Sequence, residues 1–177
     1  MESRRKRKRS QIAKWVCYAL LMLLCTVLQT LPGLFQLGEA KPLWLLPLAL
    51  AVAVEEGEFA GGIFGAICGL MWDYTAGRTA GLLAFELLLL CFLLSAVMQL
   101  YFKTSAANVV LLETAAVLLV LSLDWLFFYY MPGYSWALSR WLTFVLPSAM
   151  MTLVPSLMLF SLVRHIYSAF KIDNGVV

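Results

Sequence analysis

The chain alternates long apolar runs with short polar breaks, and the runs predict six membrane-spanning helices. The first extends from about Trp15 to Leu37 and contains Gln29 and the Pro32-Gly33 pair, which should kink or end the helix near the far membrane face. A polar turn, GEAK, follows at Gly38 to Lys41. The next run, Pro42 to Val54, has only 13 residues, or about 20 Å of helix against a hydrocarbon core of about 30 Å. Glu55, Glu56 and Glu58 interrupt it, and the run after that, 59–72, is also short. The later spans are clearer: 80–102 with Glu86 and Gln99 inside, 106–130 with Glu113 and Asp124, and 140–163 with Pro147 and Pro155.

The two half-length runs have two readings. They are either two short, tilted spans joined by an acidic turn, or a re-entrant hairpin protected by neighbouring helices. Two spans are preferred, because local thinning and buried neighbours tolerate such mismatch.

Composition fits this picture. Of 177 residues, 63% are hydrophobic and 13% charged, where a soluble domain is nearer half and a quarter. The expected fold is an all-α integral membrane bundle of six helices, or five, with no room for an extramembrane domain. Residues 1–14 form a basic cytoplasmic segment, 15–163 one transmembrane domain, and 164–177 a short cytoplasmic tail. Six spans with the N-terminus inside place ten of the 13 Lys and Arg on the cytoplasmic side, leaving Lys41, Arg78 and Arg140 outside. The basic run Arg4, Arg5, Lys6, Arg7, Lys8, Arg9 then fixes topology and touches anionic headgroups rather than nucleic acid. Aromatic residues between Trp125 and Trp141 gather where the last two spans meet the outer interface.

One stretch carries a finer rhythm. In GEFAGGIFGAICGLMWD, glycine recurs at Gly57, Gly61, Gly65 and Gly69 and the series ends on Asp73, with Gly77 and Gly81 continuing the spacing. Each four-residue step drifts about 40° around a helix, so the glycines form a slanted groove into which another helix can press. That helix belongs either to the chain itself or to a partner. Charges inside spans are the second informative feature, since each is costly in the bilayer. Asp73, Arg78, Glu86, Asp124 and Arg140 all fall near the outer edge, where they are candidates for a paired polar network. Glu113 lies in the inner third.

Catalytic and cofactor chemistry has little to stand on. His165 is the one histidine, and Cys17, Cys25, Cys68 and Cys91 are isolated within apolar runs. No metal-ligand cluster, phosphate-cradling loop or nucleophile elbow occurs. An enzymatic use of Glu86 and Asp124 would rest on their position in spans alone. The chain is read as a non-enzyme without metal or cofactor.

The run Gly61, Gly65, Gly69, Leu70 and Asp73, G-x-x-x-G-x-x-x-G-L-x-x-D, is followed by a short loop and Gly81-Leu82. With the proline-containing last span VLPSAMMTLVPSLMLF, it resembles the bacterial rod-shape-determining MreD family. The resemblance implies a plasma-membrane scaffold or regulator of the cell-elongation machinery. It also implies association with the bitopic protein MreC, the actin-like MreB filament and the synthases of lateral peptidoglycan. The glycine groove and Asp73 then become candidate contacts for MreC's single helix. The family in turn resembles, in helix number and small-residue segments, the substrate-binding subunits of energy-coupling-factor vitamin transporters. That gives an alternative function, binding a vitamin-type molecule. Those subunits couple through small residues at four-residue spacing on the first helix, and KWVCYALLMLLCTVLQTLPG shows no A-x-x-x-A.

Overall fold

The structure, a computed structural model, describes residues 2–170 except 32, 34, 35, 37, 39, 78–80 and 102–105; of residues 2–7, 101 and 106 it describes the backbone alone. The first helix, α1, covers Glu2–Thr30. It begins inside the basic run rather than at Trp15, because Lys and Arg are good helix formers and nothing before Trp15 breaks the helix. It stops at Thr30 rather than Leu37, since the residue before a proline is driven out of the helical region and Pro32 follows.

Next come α2 (Leu45–Glu56), α3 (Glu58–Ala76), α4 (Leu82–Tyr101) and α5 (Ala106–Trp125), the last continuing through a wider π-type turn at Leu126–Tyr130. The chain then re-enters helix at α6 (Ala137–Arg140), passes a second π-type turn at Trp141–Val145, and continues into α7 (Leu146–Phe170), the last described helix. The second π turn lies just before Pro147, whose missing N–H interrupts the regular hydrogen-bond ladder. Two further expected boundaries move. The third helix runs on past Trp72 to Gly77, which caps it in the left-handed conformation at φ 63°. The last helix extends beyond Val163 to Phe170, so the first half of the expected tail is helical.

Four stretches are long and apolar enough to cross a membrane: Lys8–Thr30, Leu82–Leu100, Ala107–Tyr130 and Ala137–Phe170. Neither α2 nor α3 is among them. α2 has 12 residues, about 18 Å of helix, yet it is the centre of the bundle. Every residue from Leu45 to Ala53 is buried, and α1, α3, α4, α5 and α7 all pack against it.

A short helix at that depth exposes N–H groups that have no water to meet. Side chains from the first and last helices supply the acceptors. The amides of Trp44 and Leu45 both donate to Gln29 Oε1 at 3.1 Å. Leu43 N–H donates to Thr152 Oγ1 at 3.1 Å and Lys41 N–H to Ser148 Oγ at 3.3 Å. At the other end, Lys14 Nζ pairs with Glu56 at 2.7 Å and Tyr18 donates its hydroxyl to Glu56 Oε1 at 2.9 Å. Gly57 alone joins α2 to α3, at φ 94° and ψ 176°, which only glycine adopts without strain.

Gln29→Leu should therefore destabilise the bundle more than Thr152→Val, because it strands two buried amides instead of one. Each stranded amide should cost about 1–3 kcal/mol. Unfolding titrations of the purified protein in mixed micelles should give that order.

Candidate functional site

The glycine series divides into two kinds of position. Gly61, Gly65 and Gly69 are buried in α3 and face the chain's own helices. A Cβ on Gly61 would collide with the Ala53 backbone of α2. One on Gly65 would lie 2.6 Å from Cys91 Sγ and 2.9 Å from the Leu87 carbonyl, and one on Gly69 2.7 Å from the Ala84 nitrogen, all on α4. The slanted groove thus passes from α2 to α4, and both occupants are internal. Gly57, Gly77 and Gly81 are turn residues instead, with φ of 94°, 63° and 102°.

Asp73 has a structural task that its charge alone does not suggest. It is 2% exposed. Its Oδ2 accepts the Gly81 amide at 2.8 Å, while its carbonyl accepts the Gly77 amide. Asp73 therefore ties the end of α3 to the start of α4, and no surface of it is left for a partner.

Of the expected outer-edge network, the described members besides Asp73 are Glu86, Asp124 and Arg140. Arg78 lies outside the described residues. Arg140 is stacked among rings, 4.8 Å from Tyr129, 5.7 Å from Trp136 and 5.3 Å from Phe144. Such contacts favour a partly desolvated guanidinium. Asp124 is buried at the same end, where Trp125 Nε1 donates to the Ala137 carbonyl at 2.7 Å and fastens α5 to α6. Glu86 stands on α4 at the end of a lateral groove.

Sequence reasoning missed that groove. α4 and α5 meet weakly, whereas α3 and α4 pack along their whole length. Between α4 and α5 opens a channel of about 400 Å³, reaching from Phe85 to Val97 on one wall and Leu112 to Leu123 on the other. Its length is about 18 Å, parallel to the helices. Its lining is apolar apart from Glu86, and Leu89, Leu93 and Leu119 project from its walls with large exposed areas. The signal that could have found it is Ala115-Ala116, two small side chains on the α5 wall. Two further cavities lie on α1, about 340 Å³ against α3 and about 530 Å³ nearer the N-terminus.

Deeper in the bundle, Ser156 donates its hydroxyl to Glu113 Oε2 and links α7 to α5. Glu113 is 2% exposed, and its Oε1 has no hydrogen-bond partner among the described residues. Among those residues no group of three or more His, Cys, Asp or Glu is placed to hold a metal ion.

A family model described as rod shape-determining protein MreD matches residues 9–170. No curated protein and no solved structure gives a significant match.

Substitutions on α3 should act through the fold. Gly69→Leu forces α3 off α4 and should cost about 3 kcal/mol, the upper end for overpacking. Asp73→Leu strands the Gly81 amide at about 1–3 kcal/mol, while Asp73→Asn keeps an acceptor and should cost less. Denaturation midpoints in detergent should rank Asp73→Asn above Asp73→Leu and Gly69→Leu.

Proposed function

Because the chain belongs to the MreD family of rod shape-determining proteins, we propose that it is a non-enzymatic scaffold of the cell-elongation machinery. Its work on that reading is to hold an MreC-type bitopic protein in the membrane, beside MreB and the synthases of lateral peptidoglycan. The family match over nearly the whole chain carries the proposal. Multi-pass insertion accords with the four long apolar helices and with large apolar side chains exposed around the perimeter, such as Leu24, Ile63, Leu93, Leu119 and Val154.

All six principal helices cross the bilayer on this reading, α2 and α3 as short spans. Gln29 and Lys14 both reach α2, one at each end. α2, about 18 Å long, therefore lies along α1 over its whole length, deeper than a shallow hairpin reaches. The N-terminus is cytoplasmic: Lys8, Arg9, Lys14 and Arg164 share the end at which α1 begins and α7 finishes.

The partner's helix is assigned to the α4–α5 groove, since the glycine groove is filled from within. A helix entering there would cover Leu89, Leu93 and Leu119 and approach the small residues Ala115 and Ala116, the kind of close contact that drives association in lipid. The vitamin-binding alternative needs an enclosed chamber with converging polar groups. The cavities above open sideways and are mostly apolar.

Ala115 is exposed on the groove wall, so Ala115→Phe should fill the groove without disturbing the core. Recovery of an MreC-type protein from native membranes should fall about tenfold, equivalent to about 1.4 kcal/mol. Val154→Phe on α7, also exposed, should leave recovery unchanged. Equal recovery with both variants, each folded, would place the partner elsewhere.

A further inference from the structure

The two cavities on α1 form one furrow, because Trp15 and Ala19 line both. Its N-terminal end is cationic, with Lys8 on the wall and Arg9 exposed beside it. From Ile12 onward it is apolar, and it then dips between α1 and α3 over Met22, Ile63 and Ile67. From Lys8 to Met22 it runs about 21 Å, close to half the thickness of a bilayer including its headgroups, about 20–22 Å. Trp15, 37% exposed, stands between the charged and apolar parts, where an amphipathic ring belongs at a membrane interface.

We propose that this furrow binds one anionic phospholipid. Its phosphate lies against Lys8 and Arg9, and an acyl chain follows Ile12, Trp15 and Ala19 into the α1–α3 cleft. The cationic end is held in place rather than free. Ser10 Oγ donates to the Phe170 carbonyl at 3.1 Å, and Lys14 is engaged by Glu56 and lies 5.2 Å from the Tyr167 ring. Lys14 is thus spent on the bundle, while Lys8 and Arg9 stay exposed. Glu56 is paired with Lys14, and Glu58 lies in the first turn of α3, where it offsets the helix dipole. It is one carboxylate against the unbroken run from Arg4 to Arg9. A second copy of the chain is a poor occupant, because two equally oriented copies meeting on this face would bring their basic runs together. The inference does not depend on what occupies the α4–α5 groove.

Native mass spectrometry of the full-length protein, released from nanodiscs containing phosphatidylglycerol and phosphatidylethanolamine, tests it. One phosphatidylglycerol should be retained in preference to phosphatidylethanolamine. The double variant Lys8→Ala/Arg9→Ala should reduce that preference about 30-fold, as two surface cation contacts would. Ala19→Trp, at an exposed position, should reduce retention of the lipid while leaving the elution profile unchanged. Equal retention of both lipids by the unaltered protein would overturn the proposal. So would loss with the charge variant but not with Ala19→Trp, which would confine binding to the helix tip. Displacement of phosphatidylglycerol by equimolar polyprenyl phosphate would assign the furrow to that lipid instead. Loss of a co-purifying protein on Ala19→Trp, with lipid retained, would assign it to a partner helix.

Discussion

The hydrogen bonds at the two ends of α2 are the constraint on which the bundle depends. In lipid, burying an apolar side chain gains little, since acyl chains are as apolar as leucine. Hydropathy therefore does not explain why α2 lies at the centre. Its unsatisfied amides do. The acceptors for residues 41 to 45 come from Gln29 on α1 and from Ser148 and Thr152 on α7, so capping α2 joins the first and last long helices. The Lys14–Glu56 pair and the Tyr18 hydroxyl repeat this at the opposite end. α1 is thereby fixed to α2 at both ends, and α2 can be short because its neighbours satisfy what it exposes.

The second requirement is close approach. Around α2 and α3 it is met by removing side chains: Ala53 against Gly61, Ala84 against Gly69, Cys91 against Gly65. Backbones brought this near gain dispersion contacts that larger residues would hold apart. The same closeness leaves no space for an outside helix. A bundle whose small-residue seams are filled internally must meet any other protein on its perimeter.

The location of the helices was legible in the sequence because charges and prolines mark their ends. α4 and α5 start within two residues of the expected positions. α1 was not legible at its start, since hydropathy reads a basic run as a break while Lys and Arg continue a helix readily. Gln29 was visible as a polar residue in a span, but its partners are amides 15 and 16 residues away. Asp73 was visible as a charge, and its partner Gly81 lies across a turn whose geometry no local pattern encodes. The 40° drift of the glycine ladder did follow from helix geometry alone, and it is why one series contacts two helices. The α4–α5 groove had only the small pair Ala115-Ala116 as a signal. It exists because two helices fail to meet, and a leucine facing a gap looks the same in sequence as one facing a neighbour.

Apolar perimeter surfaces cannot select their neighbours by hydrophobicity, because every neighbour in the bilayer is apolar. Selection must come from shape and from the few polar groups at the rim. The two lateral depressions differ in that respect. The α4–α5 groove ends on an acid, Glu86, and is flanked by small residues that favour a rigid helix. The α1–α3 furrow ends on Lys8 and is narrowed by Trp15 and Phe64, which suits a flexible chain under an anionic headgroup. As proposed, opposite charges at two sites on one bundle sort a protein helix from a lipid without any moving part. On the readings proposed, that sorting lets a chain with no large domain hold a partner and a lipid together in the membrane.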